Sequence, residues 1–129
     1  ATPSLHREQR TAGREHRYLS RIGYPSMKLI RSKEFSAPQA WGALDVANMN
    51  GVTTRIHWTD KPYKWHINDG EEVFAVLDGC VDMHYRADGQ EHVMTLGVGD
   101  VFFAGIGCEH VAHPRGEARI LVVEKEGSV

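Results

Sequence analysis

Residues 66–79 read His66-Ile67-Asn68-Asp69-Gly70-Glu71-Glu72-Val73-Phe74-Ala75-Val76-Leu77-Asp78-Gly79, and this stretch decides the fold. Asp69-Gly70 and Asp78-Gly79 tolerate positive φ and bound a short apolar run of strand length, Glu72–Leu77. Along that run Phe74 and Val76 share a face with Glu72, while Val73, Ala75 and Leu77 take the other. A strand that is apolar on both sides in so small a domain needs a second covering layer, and a homodimer interface is the simplest source of one. Before the turn, His66 and Asn68 stand two residues apart, which on a strand turns both to one face. Glu72 follows on the next strand, where its carboxylate can face them. A carboxylate pointing into a barrel is costly unless a cation or hydrogen bonds meet it.

Outward from this stretch the chain is a series of short strands with turn punctuation and no convincing long helix. The pattern predicts strands at Ala43–Asn48, Val52–Trp58, Glu72–Leu77, Cys80–Arg86, Glu91–Leu96, Asp100–Ala104, His110–His113 and Ala118–Glu124. Asn50-Gly51 and Asp88-Gly89 mark further turns, and Gly97, Gly99, Gly105 and Gly107 crowd one segment. Within Val52–Trp58, Thr54, Ile56 and Trp58 alternate with Thr53, Arg55 and His57, the pattern of a half-buried strand. Met27-Lys28-Leu29-Ile30-Arg31 reads as a first strand. Closely spaced short strands point to an all-β sandwich or barrel rather than a parallel α/β sheet.

At 129 residues the chain is read as one domain with a single core. Its 41% hydrophobic and 25% charged residues are ordinary for a globular protein. Charge is uneven: residues 1–26 hold five Arg and two acids, whereas residues 27–129 hold ten Lys/Arg and fifteen acids, a net of −5. A domain of that sign does not attract phosphate backbones, so no nucleic-acid partner is expected. The segment 1–26 is a polar, Arg-rich arm without hydrophobic periodicity, either an upstream extension or an arm that packs across a partner subunit, and the barrel domain spans 27–129. It has no apolar core of a secretory signal, and no apolar run approaches the ~18 residues that cross a bilayer, so no membrane partner is expected. Cys80 and Cys108 form no C-x-x-C pair and are read as reduced thiols of a cytoplasmic protein.

From about Asp60 to His113 the chain resembles the cupin superfamily. The first cupin motif, G-x5-H-x-H-x3/4-E-x6-G, is met in register by Asp60 (at the first Gly position), His66, Asn68, Glu72 and Gly79. The second, G-x5-P-x-G-x2-H-x3-N, is met by Gly99, Gly107 and His110, with Gly105 at the Pro position and Pro114 at the final Asn position. The resemblance implies a double-stranded β-helix, or jelly-roll barrel. It also implies a metal site at His66, Asn68, Glu72 and His110, which a closed barrel would bring together from separate strands.

Imidazoles and a carboxylate suit Fe, Mn, Ni or Zn as a divalent transition metal, and the sequence does not choose among them. Asn68 stands where the family places a second His. It is open to three readings: a loose fourth ligand, a hydrogen-bond partner of a metal-bound water beside a His66–Glu72–His110 facial triad, or the mark of a site that holds no metal. His113, three after His110, turns to the opposite face. His57, His84 and His92 are read as structural or solvent-facing, and Cys108 as a residue at the pocket mouth. Tyr63 and Trp65 flank the first motif as a ligand-facing wall or a plug, and Phe74, Phe102 and Phe103 as core and interface packing. Two functions follow. One is a metal-dependent enzyme of dioxygenase or isomerase type acting on a small oxygenated substrate, with no catalytic residue assignable from sequence and no organic cofactor expected. The other is a non-catalytic small-ligand-binding or sensing cupin, with a structural or absent metal.

Overall fold

The Asn50-Gly51 and Asp88-Gly89 turns each join strands that pair antiparallel, whereas Asp69-Gly70 and Asp78-Gly79 pass the chain from one sheet to the other. The computed structural model, which describes residues 26–128, contains nine strands among them. They are β1 (Gly42–Met49), β2 (Val52–Thr59), β3 (His66–Ile67), β4 (Glu72–Asp78), β5 (Val81–Ala87), β6 (Gln90–Leu96), β7 (Val101–Ala104), β8 (Glu109–Pro114) and β9 (Ala118–Lys125). Five form one sheet in the order β1-β2-β9-β4-β7, and four form a second in the order β3-β8-β5-β6. All ladders are antiparallel, and the crossovers between non-consecutive neighbours are those of a jelly roll.

Gly79, the last residue of the first motif, shows why its position is demanding. Its φ is +87°, and a Cβ there would sit 2.4 Å from the Glu117 carbonyl oxygen and 3.0 Å from Ala118 Cα. The β4–β5 turn therefore passes against the start of β9 where no side chain fits. The core lies between the two sheets. Phe74 and Val76 of β4, Phe102 and Ala104 of β7, and Ala118, Ile120 and Val122 of β9 pack in one cluster with Val81 and Met83 of β5, Leu96 of β6 and Ala112 of β8. Each fully buried aliphatic or aromatic side chain contributes roughly 1.5–3 kcal/mol of transfer free energy, so this cluster is the main source of stability.

Two expectations change. Residues 27–31 lie in neither sheet and lead into a short 3-10 turn at Ser32–Glu34. Apolar residues alone do not make a strand, because a ladder needs a neighbour to share its hydrogen bonds. By their contacts, the described residues fall into two compact units, 26–35 and 36–128. The arm read over 1–26 lies, except for Ser26, outside the described residues. The second change concerns β2. Its ladder pairs Arg55 with Val122 and His57 with Ile120 of β9, so the polar set faces the barrel interior. Ile56, on the other face, is buried as well. No helix among the described residues is long and apolar enough to cross a membrane, and both cysteines are free.

Candidate metal centre

β3 is only two residues long, yet it sets the site. It pairs with β8 so that His66 stands directly opposite His110, with ring centroids 4.4 Å apart. Just beyond, the Asn68 backbone N–H donates to the Cys108 carbonyl, and the Gly107 N–H donates to the Asn68 carbonyl at 2.9 Å. Gly107, at φ +88°, makes the turn that allows this second contact. Glu72 opens β4 in the other sheet, between Ala104 of β7 and Glu124 of β9. Glu72 and His110 are 8% and 2% exposed, and His66 is half-buried.

The three side chains converge. One donor atom from each of His66, Glu72 and His110 lies within 4.8 Å of the other two. Neighbouring donors on one ion at bond lengths of ~2.0–2.2 Å stand about 3.0–3.6 Å apart. Glu72 Oε1 and His110 Nε2, 3.2 Å apart, already have that spacing, and His66 would shift toward them.

The donor chemistry fits a metal. The His66 Nδ1 lies 3.0 Å from the Lys64 carbonyl, an acceptor only, so Nδ1 is the donor of that contact and Nε2 is the nitrogen left for a ligand. Glu72 Oε1 lies 3.2 Å from His110 Nε2, an ion-pair separation. The alignment is not that of a hydrogen bond, and Oε1 is buried with no hydrogen-bond partner. A buried carboxylate oxygen without a donor is costly, and a cation between the three groups would satisfy it.

Asn68 takes a different place. It is 6% exposed, and its side-chain amide nitrogen donates to the Ala104 carbonyl of β7 at 3.4 Å, linking the two sheets beside the trio.

The trio lines a cavity of about 240 Å³. Sharing its wall are Trp41, His57 and Tyr63, and, on the five-stranded sheet, Arg55, Phe74, Val122 and Glu124. The aromatic rings run as a chain: Trp41 to Tyr63 at 5.2 Å, Tyr63 to His66 at 5.3 Å, then His66 to His110. Glu124 sits opposite Glu72 in the β4–β9 ladder, and burial, with the neighbouring Glu72 charge, pushes its carboxyl up to about 7. Burial likewise lowers His57 below the ordinary imidazole value, while the Trp41 carbonyl 3.1 Å from its Nδ1 and the Arg55 charge act in opposite senses.

Other sequence candidates lie elsewhere. Trp65 packs under the Arg86 guanidinium at 3.9 Å, and Arg86 is ion-paired with Glu109, so Tyr63 alone of that pair lines the cavity. His84 and His113 face each other at 4.2 Å on the outer side of the four-stranded sheet, with His84 on Glu91. His92 stacks on Tyr85. Cys108 packs against the core, and burial, reinforced by the Glu72 charge, raises its thiol, which opposes a thiolate role. Sequence reading missed Arg55, Glu124 and the cavity face of His57. The strict alternation of β2 contained the signal, but it did not say which face turns inward.

No protein-family model and no curated protein matches the chain. Solved structures do. A cupin-2 domain containing protein from Shewanella frigidimarina is 26% identical with a TM-score of 0.61, over 70% of this chain and 85% of the other. A cupin superfamily protein from Desulfitobacterium hafniense is 13% identical with a TM-score of 0.64, over 78% and 91%. HppE in its Fe(II) form is 17% identical with a TM-score of 0.51, over 57% of this chain and 43% of the HppE chain.

Proposed function

Taking the cupin fold as premise, we propose that this chain is a metal-binding cupin whose His66, Glu72 and His110 hold one divalent transition metal, and that it is a metal-dependent enzyme acting on a small oxygenated substrate. The observation that carries this reading is the convergence of two imidazoles and a buried carboxylate oxygen that has no hydrogen-bond partner. HppE, which shares the fold, has been solved with Fe(II) and with Co(II), and that supports a first-row ion here.

His66, Glu72 and His110 would hold the ion through two imidazoles and one carboxylate, a donor set that would leave it accessible to a substrate. Such an ion supplies Lewis-acid polarisation of a substrate oxygen and, if redox-active, activation of dioxygen. The chain's own residues do the remainder. The Lys64 carbonyl fixes the His66 tautomer, and the Asn68–Ala104 contact braces the two sheets where the trio meets. Trp41, Tyr63 and Phe74 give the cavity an apolar wall.

Asn68, in this reading, braces the site rather than binding the ion. We also assign the chain a reducing compartment, consistent with two free cysteines. A homodimer is supported by the outer face of β7, an edge strand of sequence Val-Phe-Phe-Ala whose Val101 and Phe103 are 63% and 59% exposed.

The test is metal uptake. Chelator-treated protein offered Fe(II), Mn(II), Ni(II) or Zn(II) and then desalted is expected to retain about one ion per chain, with an X-ray absorption edge naming the preferred metal. Retention below about 0.1 ion per chain with all four would reject the reading.

A further inference from the structure

Arg55 is the guanidinium on the cavity wall, outside the His66–Glu72–His110 trio. It stands on the inner face of β2, across the ladder from Val122, which lines the same cavity. Its Nε donates to Asp45 Oδ1 at 3.2 Å, while its two terminal NH2 groups have no hydrogen-bond partner among the described residues. Asp45 is 87% exposed in its side chain, so water screens that pair. Within the cavity the guanidinium acts on the Glu124 carboxyl, lowering it against the effect of burial.

The charge balance of the cavity has a definite sign. Its titratable lining includes two carboxyls, Glu72 and Glu124, and one guanidinium. Even with both carboxyls ionised, a divalent ion together with Arg55 leaves the cavity net positive, which calls for an anionic ligand. A guanidinium offers a planar pair of donors that matches a carboxylate.

Two further observations shape the ligand. Trp41 holds a positive φ of 63°, a sparsely populated conformation for a large side chain. It is kept there by its indole N–H on the Lys61 carbonyl at 2.9 Å and by the His57 ring on its own carbonyl. The ring is thereby set beside Tyr63 as an apolar wall of the cavity. The Ser128 hydroxyl, on the same cavity, is buried without a partner and is free to donate. A dry cavity of about 150 Å³ holds benzene, so about 240 Å³ admits one substituted ring or an acid of similar bulk.

We propose that the ligand of this cavity is a compact organic carboxylate, gripped by the Arg55 guanidinium, with its apolar part against Trp41 and Tyr63. This deepens the metal reading and rests on it for the ligand's second anchor. Arg55 is a specificity-determining residue, and neutral analogues of the same shape bind weakly.

The probe pair is benzoate and benzamide, titrated calorimetrically into metal-loaded wild type, Arg55→Met and Arg55→Lys, with metal content and melting temperature recorded for each. Wild type is expected to bind benzoate at least about 10-fold more tightly than benzamide. Arg55→Met should erase that preference at unchanged metal content, and Arg55→Lys, which keeps the charge but not the planar fork, should retain part of it. No discrimination by wild type, or benzoate affinity in folded Arg55→Met within about twofold of wild type, overturns the proposal while leaving the metal site standing. If the protein takes up no metal, the metal reading is lost, and the same titration of metal-free protein still decides. An Arg55-dependent preference for benzoate upholds the proposal, and its absence overturns it.

Discussion

Glu72 and Asn68 are both buried polar residues of the first motif, and they meet that burial differently. Glu72 leaves an oxygen without a donor, 3.2 Å from His110 Nε2, whereas Asn68 spends its amide on the Ala104 carbonyl. The first arrangement asks for a cation and the second does not. Asn68→Ala is therefore expected to lower stability by about 1 kcal/mol through one lost buried hydrogen bond, with metal content unchanged. Denaturant unfolding and metal analysis of the variant check both halves, and loss of the ion at retained fold would make Asn68 a ligand. The trio His66, Glu72 and His110 was legible in the sequence through the register of the two cupin motifs, since strand alternation relates only residues of one strand. The partner of Asn68 was not legible, since it lies 36 residues away on a strand of the other sheet.

At the scale of elements, eight strands were readable to within a residue or two of their ends, because turn glycines and alternation are local signals. β3 did not stand out: two residues carry no periodicity, and its existence depends on the β8 partner. Met27–Arg31 misled for the converse reason, being strand-like in composition and in neither sheet. β2 shows a further limit, since both of its faces contain buried or half-buried residues, and only the β9 register shows that Arg55 and His57 face inward. Its His57 gives a pH prediction. Burial lowers its folded pKa below the unfolded 6.5, so the unfolded chain binds more protons between the two values. The stabilisation linked to His57 is complete above pH 6.5 and is lost as pH falls from there through the lower folded pKa. In chelator, the melting temperature of wild type should fall more steeply from pH 8 to 5.5 than that of His57→Gln. Equal slopes would place the ring in a fully hydrated setting.

For the whole molecule, two sheets closing on one core bring β3, β4 and β8 to a single interior point, and the cavity between them carries both the trio and Arg55. The outer face is less complete. Val101 and Phe103 of β7 leave apolar surface in water, and a second copy covering that edge is the partner that the exposure favours. Light scattering at micromolar concentration should give twice the 14.5 kDa chain mass, and Phe103→Glu should return the monomer. A monomeric wild type removes the dimer and leaves the metal site untouched. The central claim is the ion held by His66, Glu72 and His110, and its most direct test is the metal content of His110→Ala beside wild type after identical loading and desalting. The account predicts about one ion per chain in wild type and less than about 0.1 in the variant, with matching circular dichroism. Equal metal content in the two proteins would contradict it.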